Sequence, residues 1–348
     1  MARVSINIVT WNGMKFLPEA LETIFNQTFK DFQVVIVDNG STDGTVDYIR
    51  NNFPKIALIR NVKNLGFAHG HNQAIRMAMA KWPTEQLNEH FVLVTNQDIL
   101  LKPEFLENIL RDAEAHPQAA SFSGKLYKAY YKQSEDGFDE TIRSDTLDST
   151  GLVVKKSRRV YDRGAGEIDE RQYDSERDVF GNSGAILLLR ASALAQIRYG
   201  DEFFDEDFFS YKEDVDLAWR LRHGGWGSRY VPEACAYHYR GAYSPVKSGW
   251  LTTILSRRKR SSLINFYSFV NHYLVYLKNE SISSILSHLP WIFFYELKKN
   301  LYTLFFEPRT YFGGYRRVFK LAPKMFRKRR YVLHGAKASQ GEIKRWFE

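Results

Sequence analysis

The chain has 348 residues, of which 44% are hydrophobic and 15% aromatic, and it carries a formal net charge of +9. This composition excludes a disordered or fibrous chain, and the length allows one large domain or two ordinary ones. A single cysteine, Cys235, excludes an internal disulfide and argues against a cysteine-based metal site, as expected in a reducing compartment.

The N-terminal residues lead directly into a strand pattern and lack the apolar segment of a signal peptide. No uninterrupted apolar run in the sequence reaches the roughly 18–20 residues that span a bilayer. The sequence therefore predicts a cytoplasmic protein.

The first 120 residues alternate strand and helix patterns. β-rich runs predict strands at 4–10, 32–38, 56–60 and 91–95. Helical patterns lie at 17–25, 45–50, 69–81 and 103–115. This alternation predicts an α/β fold with a doubly wound, mostly parallel sheet and helices on both faces. Ligands bind such sheets beyond the carboxyl ends of the strands, which is where Asp38, Asn39, Asn96 and Asp98 fall.

Beyond residue 120 the pattern changes twice. Residues 120–190 hold short strand-like runs and polar turns, which predict an antiparallel extension of the sheet. The segment 212–223 predicts a helix with acids in its first turn and Gly224 as its stop. The segment 228–241, SRYVPEACAYHYRG, predicts a pair of short strands. After about residue 255 the sequence is helical, aromatic and basic. We therefore predict an α/β domain over 1–254 and a helical extension over 255–348.

Asp38 closes the second predicted strand and, with Asn39, leads into the polar turn NGSTDG. Turn and helix-cap chemistry is the simpler explanation of Ser41, Thr42 and Asp43. A strand needs no cap, however, so Asp38 requires a different explanation. Its carboxylate could accept the imide N–H of a uracil or thymine base.

The segment NVKNLGFAHGHNQAI (61–75) predicts a loop that leads into a helix. Gly66 would let the backbone approach a flat base or a ribose closely, and Asn64 and Asn72 supply polar groups beside it. A plain loop with helix caps is the alternative. The segment lacks the GxxxxGK[ST] arrangement of a phosphate-binding P-loop.

Asp98 follows the fourth strand, directly after the amides Asn96 and Gln97. A divalent ion that bridges a nucleotide diphosphate needs hard oxygen ligands, but few of them from the protein, so one carboxylate could suffice. His238 is the best candidate for a second protein ligand, although a lone histidine on a strand is more often structural.

The densest acidic stretch is FFDEDFFSYKEDVDLAWR (203–220), in which Glu213 and Asp214 fall in the first turn of a helix. Ordinary N-terminal helix charge is one explanation, since the helix dipole favours ionised carboxylates there. The other explanation makes one of the two a general base that takes a proton from an attacking hydroxyl.

Taken in order, seven segments resemble the family 2 glycosyltransferases of the GT-A type. They are VSINIVTWNG, VVIVDNGSTDGT, NVKNLGFAHGHNQAI, VLVTNQDILLKPEFL, SGAILLLRAS, FFSYKEDVDLAWRLRHGGW and YHYRG. They lie within residues 3–241, and the ordered set is far more specific than any one segment. The segments VDNGSTDGT and NLGFA, together with an Asn-x-Asp sequence and the EDVDL helix, look most like bacterial rhamnosyltransferases of surface-polysaccharide assembly.

On the nucleoside side, the resemblance implies a GT-A catalytic domain with a defined pocket. Thr10 and Asn12 would line the nucleobase pocket, and Asp38 would recognise the base. The loop residues Asn64, Gly66 and Phe67 would close over the nucleoside.

On the diphosphate side, Asn96, Gln97 and Asp98 stand where the family has its Asp-x-Asp motif. The resemblance implies that Asp98 and His238 bind Mg²⁺ or Mn²⁺ and that Asp214 is the base. Asn96 departs from the family pattern, because a neutral residue stands at the first acidic position. We therefore expect a modest metal affinity that depends on bound nucleotide.

The implied reaction is sugar transfer with inversion at the anomeric carbon. The donor is expected to be dTDP- or UDP-linked, with dTDP-rhamnose favoured by the resemblance, and the acceptor a lipid-linked or growing glycan. A UDP-hexose or N-acetylhexosamine transferase of the same family is an alternative, as is a non-catalytic nucleotide-binding scaffold at the membrane. A processive synthase fits less well, because the segment IKRWF lacks the Gln of the Gln-x-x-Arg-Trp motif.

The basic charge is concentrated in the C-terminal region. From Leu255 onward the chain holds 19 Lys and Arg against 5 Asp and Glu, whereas the preceding residues hold 30 and 35. Packed helices with solvated charges are one explanation, and nucleic-acid binding is not expected because no recognition motif accompanies the charge. Amphipathic helices beside an anionic leaflet explain it best. We therefore predict a peripheral location at the inner face of the cell membrane, through residues 262–330.

Overall fold

The computed structural model describes residues 1–133, 139–239 and 261–348. The strands are β1 (Val4–Thr10), β2 (Phe32–Asp38), β3 (Ala57–Arg60), β4 (Phe91–Asn96), β5 (Ile99–Leu101), β6 (Ala119–Gln133), β7 (Asp139–Ser149), β8 (Leu152–Val154), β9 (Val160–Asp162), β10 (Ile186–Arg190) and β11 (Gly227–Tyr239). The helices are α1 (Leu17–Phe25), α2 (Thr45–Asn52), α3 (Phe67–Met79), α4 (Phe105–Ala115), α5 (Ala191–Ile197), α6 (Glu213–His223), α7 (Ser262–Asn279), α8 (Ile282–Ser287), α9 (Leu289–Phe306), α10 (Pro308–His334) and α11 (Gln340–Lys344).

The large sheet confirms the predicted α/β class. Its strand order is β3-β2-β1-β4-β10-β6-β11-β5, with β7 paired to β6. The strands β3, β2, β1 and β4 are mutually parallel, and β10 then pairs antiparallel with both β4 and β6. The sheet is therefore parallel over its N-terminal half and mixed beyond it, as expected of a doubly wound sheet with an antiparallel extension.

The register of the parallel strands brings the candidate residues to one edge. Thr10 lies opposite Asp38 at the ends of β1 and β2, and Val9 lies opposite Asn96 at the end of β4. Val4, Ile6 and Ile8 of β1 share one face of the sheet and belong to its hydrophobic core. On the opposite face Ser5 and Asn7 are also buried, and the Ser5 hydroxyl donates to Asn7 Oδ1 at 2.8 Å.

The segment 228–239 forms one long strand, β11, and not the pair of short strands that its sequence pattern suggested. Its register against β6 shifts between Val231 and Cys235, around Pro232, which has no N–H to offer a neighbouring strand. The strand then continues to pair with β5, where His238 lies opposite Ile99. This continuation brings His238 next to Asp98.

The C-terminal helices pack on the α/β domain through a shared hydrophobic cluster. Phe208, Val215 and Trp219 from the acidic stretch and α6 contact a cluster that includes Val270 and Leu274 of α7. The predicted boundary between residues 254 and 255 lies outside the described residues and stays a prediction. Removing the helices would expose this cluster, so the two regions share part of one core.

Across the described ranges, no helix is both long enough and apolar enough to cross a membrane.

Candidate active site

Asp38 lies fully buried at the end of β2, where its carboxylate organises the following turn. Its Oδ2 accepts the backbone N–H groups of Gly40 and Ser41, each at 3.1 Å. The turn chemistry expected of this segment is therefore present, but it is centred on Asp38. A carboxylate has about four lone-pair directions, so these bonds leave acceptor capacity for a base.

The loop after β1 is fastened to the two neighbouring strand ends. The Thr10 hydroxyl donates to Oε1 of Gln97 at 2.5 Å, which ties β1 to the residue after β4. Asn12 adopts a left-handed φ of 49° and bonds to the turn after β2 through Ser41 and Thr42. Thr10, Asn12 and Gln97 thus tie the loop after β1 to the segments that follow β2 and β4.

Asn39 and Asn64 fix the loop that contains Gly66. The Asn39 side chain donates to Asn64 Oδ1 at 3.3 Å and to the Gly66 carbonyl at 3.2 Å, while Asn64 Oδ1 accepts the Gly66 N–H at 2.8 Å. Gly66 has a φ of 85°, and a Cβ there would lie 2.4 Å from the Phe209 carbonyl oxygen. The position therefore requires glycine, both for its backbone conformation and for the close approach.

Asp214 is held by Gly184, which lies between it and the Gly66 loop. Oδ2 of Asp214 accepts the Gly184 N–H at 2.9 Å. A Cβ on Gly184 would lie 3.3 Å from the Cβ of Asp214 and 3.5 Å from the ring of Phe67. Asp214 is partly exposed, so its carboxylate is accessible to an acceptor.

Glu213, in contrast, is buried, and its raised pKa favours the protonated form at pH 7. Burial, reinforced by the neighbouring Asp214 charge, raises the pKa of Glu213 to about 8. A protonated carboxyl cannot take a proton from an attacking hydroxyl. Of the two acids at the start of α6, Asp214 is therefore the better candidate for the base.

Asn96 links the end of β4 to this base. Its backbone N–H donates to the Ala185 carbonyl at 2.9 Å, in the residue that follows Gly184. Asp98 lies two residues further along the chain. Asp214, the candidate base, and Asp98, the carboxylate expected to face the diphosphate, are thus linked through hydrogen bonds between the end of β4 and the residues before β10.

Asp98 and His238 meet beside a third residue, Asp148 of β7. His238 Nε2 lies 3.4 Å from Asp98 Oδ1, an ion-pair distance, and His238 Nδ1 is hydrogen-bonded to Asp148 Oδ2 at 2.8 Å. Burial alone would lower the pKa of His238, but the two carboxylates outweigh it and raise the pKa to about 9.

This arrangement fits a divalent ion between Asp98 and His238. A histidine that binds a metal through one ring nitrogen commonly donates the other N–H to a carboxylate, as Nδ1 does here to Asp148. Asp98 Oδ1 is buried and makes no hydrogen bond other than its 3.4 Å ion pair with His238 Nε2, so both atoms could bind the ion once the Nε2 proton is displaced. In the described parts of the chain no group of three or more His, Cys, Asp or Glu side chains could hold a metal. Phosphate oxygens would have to complete the site.

Sequence comparison decides the family. Residues 5–193, more than half of the chain, match the profile described as glycosyl transferase family 2. The chain belongs to glycosyltransferase family 2, and it is a glycosyltransferase.

Within this family the chain is similar to bacterial rhamnosyltransferases. It is 31% identical to the N-acetylglucosaminyl-diphospho-decaprenol L-rhamnosyltransferase of Mycobacterium tuberculosis over 238 residues, 67% of this chain and 74% of the relative. It is 26% identical to rhamnosyltransferase WbbL of Escherichia coli K12 over 241 residues, 68% and 83% of the two chains.

The fold comparison confirms the GT-A type. The mannosyltransferase PcManGT from Pyrobaculum calidifontis, solved with GDP-Man and Mn²⁺, aligns with a TM-score of 0.50 at 15% identity and covers 96% of this chain and 85% of its own. At this identity the likeness establishes the fold alone.

One residue expected at the nucleotide has a different place. Asn72 is fully buried, its Nδ2 donates to the Phe204 carbonyl and to Glu206, and its Oδ1 accepts from Phe203 and Phe204. All its hydrogen-bonding groups are occupied within the protein, so none is left for a nucleoside. Asn72 instead holds the segment before α6.

Asp148 and Gly184 were not among the residues expected from the sequence of this family 2 glycosyltransferase. Asp148 lies 90 positions before His238, in a strand with no motif, and only the strand order β7-β6-β11 reveals their contact. Gly184 had a weak signal, because a glycine immediately before a buried strand often marks a close backbone approach.

Proposed function

We propose that this chain transfers rhamnose from dTDP-rhamnose to a lipid-linked or growing glycan acceptor of a bacterial surface polysaccharide, with inversion. The two rhamnosyltransferase relatives support rhamnose as the transferred sugar. The M. tuberculosis relative, whose name specifies a diphospho-decaprenol acceptor, supports a lipid-linked acceptor.

One observation carries the proposal: Asp98 and Asp214 are joined through Asn96, Ala185 and Gly184 at one edge of the sheet. A single-displacement transfer needs the diphosphate leaving group and the base on opposite sides of the sugar. The Asp98–His238 pair supplies the first position, and Asp214 supplies the second.

In the proposed reaction each of these residues has one role. Asp38 accepts the imide N–H of the base, and the Gly66 loop covers the nucleoside. Asp98 and His238 would hold a divalent ion, which when bound offsets negative charge on the departing diphosphate. Asp214 takes the proton of the acceptor hydroxyl as that oxygen attacks the anomeric carbon, and the bond to the diphosphate breaks.

The first test is calorimetric titration with dTDP, UDP and GDP, each with and without Mn²⁺, on wild type and Asp98→Ala. Tight dTDP binding that needs Mn²⁺ and is lost in the variant supports the proposal. A preference for UDP would replace rhamnose by a UDP-linked hexose or N-acetylhexosamine. Equal affinities with and without Mn²⁺ would remove the metal from the proposal.

We further propose that the exposed side of α9 and α10 binds an anionic membrane surface. Exposed apolar residues recur on α9 at spacings of three and four and on α10 at a spacing of seven. They are Phe294, Leu297, Leu301, Phe305, Phe312, Phe319 and Phe326, between 44% and 73% exposed. We call them the apolar stripes. Apolar surface of this extent is unusual unless a partner or a membrane covers it.

Charge favours a membrane over a second protein as the occupant. The segment 316–330 holds eight basic residues and no acid, and of these Arg316, Lys320, Arg327 and Arg330 are exposed beside the α10 stripe. Each such residue near an anionic leaflet contributes about 1 kcal/mol. Lys324 and Lys328 are bound to Asp207 and do not contribute freely.

Vesicle co-sedimentation tests this surface. Wild type should sediment with phosphatidylglycerol-containing vesicles and much less with phosphatidylcholine alone. Combined Phe312→Ser, Phe319→Ser and Phe326→Ser should abolish sedimentation, whereas Phe25→Ser, an exposed phenylalanine of α1, should leave it intact. Unchanged sedimentation of the triple variant, or its conversion of a dimer to a monomer without lipid, would overturn the membrane assignment.

A further inference from the structure

A strained turn lies between the helix that carries Asp214 and the loop that contains Gly66. It spans residues 208–212, and it connects the acidic stretch to α6. Three of its residues, Phe209, Tyr211 and Lys212, have φ between 60° and 72°, although none is glycine. Such conformations cost of order 1–3 kcal/mol each and persist only where neighbouring groups enforce them.

Phe209 is the most constrained residue of this turn. Its φ of 60° and ψ of −63°, with the Ser210 N–H bonded to the Phe208 carbonyl at 2.6 Å, make a γ-turn of the rarer, positive-φ form. The Phe209 carbonyl points to the start of α3 and accepts the Phe67 N–H at 2.8 Å. The same oxygen excludes any side chain at Gly66. The turn is thus hydrogen-bonded directly to the Gly66 loop and the start of α3.

The groups that enforce the turn come from α7, in the C-terminal extension. Asn271 is fully buried, and its Nδ2 donates to the carbonyls of Phe208 at 2.8 Å, Ser210 at 2.9 Å and Tyr211 at 2.7 Å. One amide group therefore gathers three carbonyls of a single turn. The two hydrogens of this amide are shared among the three carbonyls, of which Phe208 also accepts the Ser210 N–H.

A second contact lies one helical turn away on the same face of α7. The ring of Tyr267, four residues before Asn271, stacks on Phe209 with centroids 4.9 Å apart and planes inclined by 20°. Further along the helix, Lys278 is bound to Asp205 at 2.7 Å and to Asp216 at 2.9 Å, on either side of the turn. One face of α7 thus contacts the turn and both of its flanks.

We propose that Asn271 is a positioning residue that holds the 208–212 turn in the conformation that places both the Gly66 loop and Asp214. Asn271 acts through the turn and does not itself contact the reacting atoms. The roles of the Gly66 loop and Asp214 rest on the proposed function. The consequence is that donor binding and base placement depend on a side chain from the helical extension.

The test compares Asn271→Asp with a matched variant in the same bundle. Asn271→Asp keeps the side-chain shape but replaces the N–H donors by a carboxylate oxygen, which repels the three carbonyls. Asn300→Asp is the control, because Asn300 of α9 donates to Tyr273 and the Glu296 carbonyl, and no contact joins it to the turn in the described structure.

Amide hydrogen exchange without ligand gives the deciding measurement. In Asn271→Asp, peptides covering 64–72 and 204–216 should exchange about tenfold faster than in wild type, because the Phe67 N–H loses a fixed acceptor. In Asn300→Asp the same peptides should exchange as in wild type. Equal exchange in the two variants, or no acceleration in Asn271→Asp, would overturn the proposal.

Two additions keep the result unambiguous. If Asn271→Asp fails to fold, Tyr267→Leu removes the stacking on Phe209 together with the contacts of the same ring with Phe266 and Arg317. The same two peptides should still exchange faster, and unchanged exchange would count against the proposal. Asn271→Asp should also bind dTDP and UDP about fivefold or more weakly than Asn300→Asp does, while the two variants melt at the same temperature. Absence of nucleotide binding in wild type would count against the proposed function, whereas the exchange rates would still decide the role of Asn271.

Discussion

Gly184 donates its backbone N–H to Oδ2 of Asp214 at 2.9 Å, and the two residues pack so closely that a Cβ at Gly184 would lie 3.3 Å from the Cβ of Asp214. A backbone donor of this kind orients the carboxylate without neutralising it, unlike a lysine or arginine partner. The remaining lone pairs of Asp214 stay available on the partly exposed side. If Asp214 is the base of the proposed reaction, this contact would orient its carboxylate for the acceptor hydroxyl.

Asp214→Asn should preserve the structure and remove the proton acceptor. The amide oxygen of Asn can still accept the Gly184 N–H, so folding and nucleotide affinity should not change. We expect kcat to fall by about 10²–10⁴-fold with the donor KM nearly constant. Steady-state kinetics with the donor identified by calorimetry measures this. Transfer at the wild-type rate would remove Asp214 from the reaction.

Glu213→Gln should make stability less dependent on pH. The pKa of Glu213 is raised from 4.5 to about 8, chiefly by burial, so the folded state holds a proton that the unfolded state releases above pH 4.5. The stability of the wild type should therefore decrease as pH rises from about 4.5 through 8, and Gln, which cannot ionise, should not contribute this decrease.

Thermal melting at pH 6 and pH 8.5 checks the expectation for Glu213. The difference in melting temperature between the two pH values should be smaller in the variant than in wild type. Activity at pH 7 should stay within a few-fold of wild type, because the protonated carboxyl and the amide are similar in shape. An equal pH dependence in both proteins would show that Glu213 is ionised when folded.

The strand ends were predictable because their placement follows from local pattern and one topological rule. Asp38, Asn96 and Asp98 each follow an apolar run, and the carboxyl ends of parallel strands share one edge of the sheet. The segment 61–75 was predictable in part: Asn64 and Gly66 lie in a loop before a helix, as its pattern predicted, whereas Asn72 of the helix faces the interior. The sequence pattern could not distinguish Asn64 from Asn72, because an asparagine near the start of a helix can face either the loop or the interior.

The residues that were not predictable reach the site through long-range packing. Asp148 contacts His238 across 90 positions, and Asn271 contacts the turn before α6 across about 60. Neither lies in a motif, and an asparagine within an aromatic helix has no pattern that distinguishes a positioning role from ordinary packing. The strand β11 was misread as two strands for a local reason, since Pro232 interrupts the pattern that a continuous strand would show.

Asp148→Asn should weaken the metal-dependent part of nucleotide binding. The change removes the negative charge behind His238 and leaves the imidazole free to rotate or to change tautomer. We expect the enhancement of dTDP affinity by Mn²⁺ to fall about 10–100-fold, with metal-free affinity unchanged. Calorimetry on Asp148→Asn and on Asp145→Asn, an exposed acid of the same strand, provides the comparison. The same loss in both variants would point to a general effect on β7.

Lys278→Met should destabilise the whole protein, because the helical extension and the α/β domain share a buried ionic cluster. Lys278 is 1% exposed and neutralises Asp205 and Asp216, both also buried. Its removal should cost about 3 kcal/mol, towards the lower end for a broken buried pair, since Arg220 still neutralises Asp216. Urea unfolding measures the change, with Lys298→Met, an exposed lysine of α9, as the control. A loss confined to the C-terminal helices would mean that the two regions unfold separately.

Gly66→Ala tests the contact between the Gly66 loop and the turn before α6 by a change in the loop, whereas Asn271→Asp changes the helix that holds the turn. The new methyl carbon would lie only 2.4 Å from the Phe209 carbonyl oxygen. The alanine would also have to adopt a backbone φ of 85°. Gly200→Ala is the control for a positive φ without a close contact, because Gly200 has a φ of 59° and no atom within 4 Å of the added Cβ. Gly66 differs from it in backbone as well, since its φ of 85° and ψ of 177° lie in a region that essentially only glycine adopts. The control should lose only the cost of the left-handed conformation, about 1–2 kcal/mol. Gly66→Ala should lose more than this and should also bind dTDP or UDP at least about tenfold more weakly, because the loop can relieve the overlap only by moving away from Phe209. Equal losses of stability and unchanged nucleotide affinity would show that the close approach of Gly66 and Phe209 is not needed for donor binding.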